Sequence, residues 1–195
     1  MKLVTYQSQG KTALGILLND TVYNLNELSQ RKGKTVLPDN MRDFLTGEQP
    51  MMDAAMELNH WLAGGNADVS GIEVANVNFL APVPNPTSCR DGYAFRQHVE
   101  AARRNRRVEM IPEFDQYPIF YFTNHNAIQG SGDIFCMPDH FEQLDFELEA
   151  AIVIGRKGIN IKAKDADNYI AGYMIMNDMS ARKLQMEEMK LNLGP

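Results

Sequence analysis

Short apolar runs alternate with polar, turn-forming residues at the start of the chain. Residues 3–6 and 13–18 flank Ser8-Gln9-Gly10-Lys11, which predicts a β-hairpin, and Asn19-Asp20 turns the chain into Val22-Tyr23. The period then becomes helical. Asp39-Asn40 caps a short helix through Phe44 that Gly47 ends. Met52, Ala55, Met56, Leu58 and Leu62 fall on one face of a second helix over residues 51–62, stopped by Gly64-Gly65. After Phe79-Leu80 the run Ala81-Pro82-Val83-Pro84-Asn85-Pro86 is stiff and extended. It predicts a domain boundary, with residues 1–80 forming a small β-rich N-terminal domain and residues 81–195 a second domain.

Past that linker, residues 91 to 104 read as a helix and 118–123 as an aromatic strand. Residues 130–132 mark a turn, 146–154 and 169–176 are strands, and 180–191 form an amphipathic helix. Many strands with few helices between them predict an α+β, β-rich fold rather than a doubly wound sheet. The chain stops at Leu193-Gly194-Pro195 directly after a predicted helix and without a polar tail, an ending that reads as an interruption.

One segment carries more than fold information. Leu144-Asp145-Phe146-Glu147-Leu148-Glu149-Ala150 alternates strictly, so a strand there puts Asp145, Glu147 and Glu149 on one face. The apolar continuation Ala151-Ile152-Val153-Ile154 predicts that this strand enters a buried sheet. Carboxylates about 7 Å apart along a strand repel by roughly 2 kcal/mol at an effective dielectric near 20. A buried acidic face therefore needs protons or a cation, whereas a solvent-facing edge needs neither. An all-oxygen site suits a hard ion, Mg²⁺ or Ca²⁺, with Mn²⁺ also compatible.

Composition narrows the partners. The 195 residues are 44% hydrophobic and 23% charged, an ordinary globular balance. A formal net charge of -6 makes nucleic acid a poor partner. Cys89 and Cys136 are the only cysteines and suggest neither a disulfide framework nor a zinc site. No apolar run approaches the roughly 20 residues that span a bilayer, and Met1–Gln7 turns polar too early for a signal peptide. A cytoplasmic protein without membrane partners is expected.

Further candidates lie near predicted element ends. Asp178, in Asn177-Asp178, is either a third ligand at a strand end or the cap of the helix beginning near Ser180. Asp91 is likewise a fourth ligand or an N-cap. His98 lies two turns beyond Asp91 and is either structural or a site group. Arg103, Arg104, Arg106 and Arg107 form a basic cluster that reads as a solvated helix face for at least three of the four. The functional alternative is a contact for a substrate carboxylate.

In order and spacing, these segments resemble the fumarylacetoacetate hydrolase family from about Phe79 onward. Ala81-Pro82-Val83-Pro84 looks like that family's linker into its catalytic domain. Asp91-Gly92-Tyr93-Ala94-Phe95-Arg96-Gln97-His98 is similar to its segment holding a metal-binding Asp, a substrate-contacting Tyr and the catalytic His. The resemblance implies Asp91 as metal ligand, Tyr93 against substrate and His98 as general base. Glu147-Leu148-Glu149 matches the paired glutamate ligands, and Asn177-Asp178-Met179-Ser180-Ala181-Arg182 matches the last ligand motif, with Asp178 on the metal. Arg182, Gln185, Tyr121 and Arg107 match substrate contacts.

The implied fold is a small N-terminal domain followed by the start of a mixed β-sandwich roll. The implied activity is metal-dependent hydrolysis of a C–C bond in a β-diketone or 2-oxo acid, by a protein that is a homodimer when full length. Decarboxylation, isomerisation or hydration of a 2-oxo acid is the alternative, and a non-catalytic interaction module the second. Three departures stand out. Met179 replaces the usual Trp, Met189 replaces an expected Tyr, and the chain stops before the position of the family's catalytic Lys. By that resemblance it reads as the N-terminal part of a longer enzyme.

Overall fold

The computed structural model describes residues 1–65 and 69–191. The described residues divide into two compact units, one of Met1–Pro84 together with residues 129–191, the other of Asn85–Ile128.

The first unit begins with the predicted hairpin. Strands β1 (Leu3–Ser8) and β2 (Lys11–Leu18) pair antiparallel with Ser8 opposite Lys11. Gln9 and Gly10 both take positive φ, as a two-residue turn between twisted strands requires. The chain continues through β3 (Thr21–Asn24), α1 (Leu25–Lys32), α2 (Met41–Thr46), α3 (Glu48–Ala63), β4 (Ile72–Glu73) and β5 (Asn78–Phe79). Together the strands form an antiparallel sheet in the order β4-β3-β2-β1-β5. Leu14 and Ile16 of β2, Leu25 and Leu28 of α1, Phe44 of α2, and Leu58 and Leu62 of α3 bury one core between sheet and helices.

Helix α1 escapes the periodicity reading because most of its eight residues are polar; Leu25 and Leu28 alone carry its apolar contact. Helix α2 starts where the sequence predicts. The Asn40 side chain accepts from the Asp43 N–H at 2.9 Å. Asn40→Ala is expected to destabilise the protein by about 1 kcal/mol, read as a lower midpoint in urea with an unchanged slope.

Later segments of the same unit tie onto this layer. The Lys157 N–H donates to Glu48 Oε1 at 3.1 Å, and Glu48 itself sits at φ 52°. Gly130 backs directly onto the end of β5, where a Cβ would lie 2.4 Å from the Phe79 carbonyl oxygen. Here the predicted turn glycine serves close approach between backbones.

The second unit holds β6 (Cys89–Gly92), α4 (Arg96–Asn105) and β7 (Phe120–Thr123). Strands β6 and β7 pair antiparallel, with Asp91 opposite Tyr121. Asp91 is therefore not the N-cap of a helix starting beside it. It lies on a strand, and α4 begins five residues later.

The first unit then completes itself with β8 (Leu144–Asp145), β9 (Leu148–Ile154), β10 (Ile170–Asn177), β11 (Ser180–Ala181) and α5 (Arg182–Glu188). Strands β9 and β10 pair antiparallel, as do β8 and β11. The fold class is the expected α+β with antiparallel strands. Two local expectations are corrected. The acidic strand is not continuous, because Phe146 and Glu147 interrupt it and the Phe146 N–H turns back to Asp145 Oδ1 at 3.0 Å. Nor does it enter a buried sheet. Glu149, Ala151 and Val153 share the half-buried face, while Leu148 is 77% exposed and Ile175 of β10 is 78% exposed.

Candidate metal centre

The β9–β10 register sets Glu149 opposite Met176 and Leu148 opposite Asn177. Asp178 thus leaves β10 where Glu147 enters β9, and the Asp178 N–H donates to the Glu147 carbonyl at 3.0 Å. This pairing brings residues 29 positions apart to one spot. Carboxylate oxygens of Glu149 and Asp178, both half-buried, lie within 4.8 Å of one another. Two oxygens on one hard ion, each about 2.0–2.6 Å from it, are separated by at most about 4–5 Å. The pair fits such an ion in spacing and in donor chemistry. At an effective dielectric of 20 the two charges repel by about 3 kcal/mol or more, which a shared cation relieves.

Glu147 is occupied differently. Its Oε1 lies 2.5 Å from an Arg182 terminal nitrogen and accepts from the Ser180 hydroxyl at 3.4 Å. Its backbone N–H donates to the Asn177 side-chain oxygen at 3.2 Å. Arg182 also donates through Nε to Asp145 Oδ2 at 3.0 Å and through Nη1 to Gln185 Oε1 at 3.1 Å. Burial pushes the Arg182 pKa down, but the hydrogen bonds to Asp145 and Glu147 outweigh it and the net shift is upward. Asp145 and Glu147 of the acidic segment thus meet a cation of their own chain.

In the second unit, the Tyr121 hydroxyl donates to Asp91 Oδ2 at 3.1 Å. His98 lies in the first turn of α4, exposed, with its ring centroid 5.7 Å from that of Tyr93. Arg96 pins this turn through Glu100, at 2.8 Å, and through Asp115; its hydrogen bonds to Asp115 and then to Glu100 hold its pKa above the ordinary value. Beyond α4, Arg107 takes φ 57°. Arg103 and Arg106 donate through Nε to the carbonyls of Glu109 and Ala102. The candidates thus group as Glu149 with Asp178, Glu147 with Arg182 and Gln185, Asp91 with Tyr121, and Tyr93 with His98. Arg107 joins none of these groupings.

Sequence comparison decides the family. Residues 87–195 match the family described as fumarylacetoacetate (FAA) hydrolase, C-terminal. This chain belongs to the fumarylacetoacetate hydrolase family. The mitochondrial oxaloacetate tautomerase fahd2 of Xenopus laevis is 30% identical over 195 residues, covering 96% of this chain and 54% of that protein. Oxaloacetate tautomerase YisK of Bacillus subtilis is 26% identical, covering 100% of this chain and 65% of that one. The chain therefore spans little more than half to two thirds of these relatives. The fold is shared with maleylpyruvate hydrolase from Sphingobium sp. SYK-6, solved with manganese(II) and pyruvate. That match has a TM-score of 0.55 at 17% identity, over 92% of this chain and 58% of the other. Members of this family are enzymes, and a divalent ion suits both the family and the Glu149–Asp178 pair. Among the described residues, no helix is long and apolar enough to cross a membrane.

Sequence reasoning missed two groups in this cluster. Asp145 stood in the alternating pattern without a role, and Ser180 was taken only as a helix start. A Ser two residues after a candidate ligand, and an Asp two residues before another, are weak signals. Their significance comes from the pairing of β8 with β11, which sets Ser180 opposite Asp145.

Proposed function

We propose that this protein interconverts keto and enol forms of a 2-oxo dicarboxylic acid such as oxaloacetate. In this reading a divalent ion is held by Asp91, Glu147, Glu149 and Asp178. The carrying observation is the Glu149–Asp178 carboxylate pair, spaced for one hard ion, in a chain similar to two oxaloacetate tautomerases. Asp91 and Glu147 join it by the order of the family motifs.

A bound divalent ion supplies Lewis-acid stabilisation of the negative charge that develops on the substrate's oxygens. The chain's own groups do the rest. His98 takes the proton from C3 as general base, and a proton returns to the 2-oxygen, so no atom is gained or lost. Arg182 and Gln185 hold a substrate carboxylate, with Tyr93, Tyr121 and Arg107 as further contacts. Mg²⁺ and Ca²⁺ are the proposed ions, with Mn²⁺ compatible. The manganese(II) in the fold neighbour supports a hard, oxygen-bound metal.

Hydrolysis of a C–C bond is the second reading, favoured by the segment from Asp91 to His98 and by the maleylpyruvate hydrolase likeness. There His98 takes its proton from water, the hydroxide adds to a carbonyl, the C–C bond breaks, and the departing enolate takes up that proton, leaving a carboxylic acid and a ketone. The two readings differ in stoichiometry. Oxaloacetate enol absorbance that decays faster with enzyme, with no acid or CO₂ released, supports the tautomerase. Acid released mole for mole from a β-diketone supports the hydrolase, and CO₂ release supports a decarboxylase instead. A chain with bound Mn²⁺ that does none of these overturns both proposed readings.

A further inference from the structure

Unit 1 places four carboxylates close in sequence or register, Asp145, Glu147, Glu149 and Asp178, and one guanidinium, Arg182, among them. Arg182 opens α5, and its backbone N–H donates to the Gln143 carbonyl at 3.1 Å. Pairing of Ser180 with Asp145 and of Ala181 with Leu144 fixes the backbone just before it. The guanidinium fork is then fully engaged. Nε meets Asp145 at 3.0 Å, one terminal nitrogen meets Gln185 at 3.1 Å, and the other meets Glu147 at 2.5 Å. A planar fork of fixed geometry engages two carboxylates and an amide in this way, each through a different nitrogen.

Glu147 cannot serve this nitrogen and a metal ion through the same oxygen without one weakening the other. We infer that Arg182 is the resident counter-cation of Glu147 in the ion-free protein and that a divalent ion bound through this Glu147 oxygen displaces it. Asp145 is then a positioning residue. Its grip on Nε keeps Arg182 beside the site while the terminal nitrogen leaves Glu147 and becomes available to a substrate carboxylate. Ion binding and the readying of the carboxylate contact are thereby one event, and by linkage each favours the other. This inference rests on the metal reading above.

The test is Mn²⁺ affinity by calorimetry, without substrate, on the whole protein. Arg182→Gln removes the competitor, and Mn²⁺ is expected to bind about fivefold more tightly, the scale of a partly exposed ion pair. Removing any nearby positive charge also favours a cation, so a second variant is needed. Lys183→Gln deletes the adjacent cation, which pairs with Glu142 and not with Glu147. It is expected to change Mn²⁺ affinity less than twofold. Equal tightening in both variants reduces the effect to general charge and overturns the displacement, as does an unchanged affinity in Arg182→Gln. Should Arg182→Gln not fold, Arg182→Met is read instead, since it keeps an unbranched stem and removes the charge. Twofold or greater tightening supports displacement and no change overturns it. Wild-type protein that binds Mn²⁺ while the variants behave like it removes the displacement alone. If no form binds Mn²⁺, the metal reading falls and the displacement with it.

Discussion

Glu149→Gln combined with Asp178→Asn is expected to abolish Mn²⁺ binding measured by calorimetry, a loss of at least about 100-fold. Removing only an outer-shell partner of a metal ligand costs about 10–100-fold, and this change removes two charged oxygens that lie within 4.8 Å of each other. The amides keep nearly the same shape and hydrogen-bonding reach, so packing around β9 and β10 is preserved. They discard only the charge that draws a hard cation. Glu147 alone does not compensate, because it must first give up its contact with Arg182. Binding that survives the double substitution would place the ion elsewhere.

His98→Ala is expected to lower turnover about 10²-fold or more, the usual contribution of a positioned general base, while Mn²⁺ affinity stays as in wild type. His98 is suited to the role by position. It is exposed on the first turn of α4, its ring beside Tyr93, on a turn pinned by Arg96 to Asp115 and Glu100. Exchange of the C3 protons of oxaloacetate with deuterated water, followed by NMR, reads the proton transfer directly. Exchange at the wild-type rate in His98→Ala would remove His98 from the chemistry. Loss of both exchange and metal affinity would mean that the substitution had disturbed the fold.

Elements whose signal is local were readable from the chain. The β1–β2 hairpin follows from two apolar runs and a Gln-Gly turn. Helices α2 and α3 follow from Asn40, Gly47 and the spacing of Ala55, Leu58 and Leu62. Helix α1 was not readable, since two leucines in a polar octet become a helix face only when a sheet exists to cover them. Asp91 was misplaced because an acidic residue before a polar, helix-forming stretch resembles a cap. Its pairing with Tyr121 across β6 and β7 is a contact 30 residues away.

The acidic segment shows where each kind of information ends. Composition and alternation alone determined that carboxylates concentrate around Glu147 and Glu149, that they need protons or a cation if buried, and that oxygen-only donors favour a hard ion. The position of Asp178 at a predicted strand end made it a candidate, and the resemblance of the ordered motifs pointed to the family that sequence comparison confirms. Which carboxylate meets which cation was decided only in three dimensions. Strand periodicity sets the face of a residue relative to its neighbours, but carries no information about the register of a distant strand. The β9–β10 pairing delivers Asp178 to Glu149. The β8–β11 pairing delivers Arg182 to Asp145 and Glu147, across 37 and 35 positions of sequence, and so separates two glutamates that alternation alone had made equivalent.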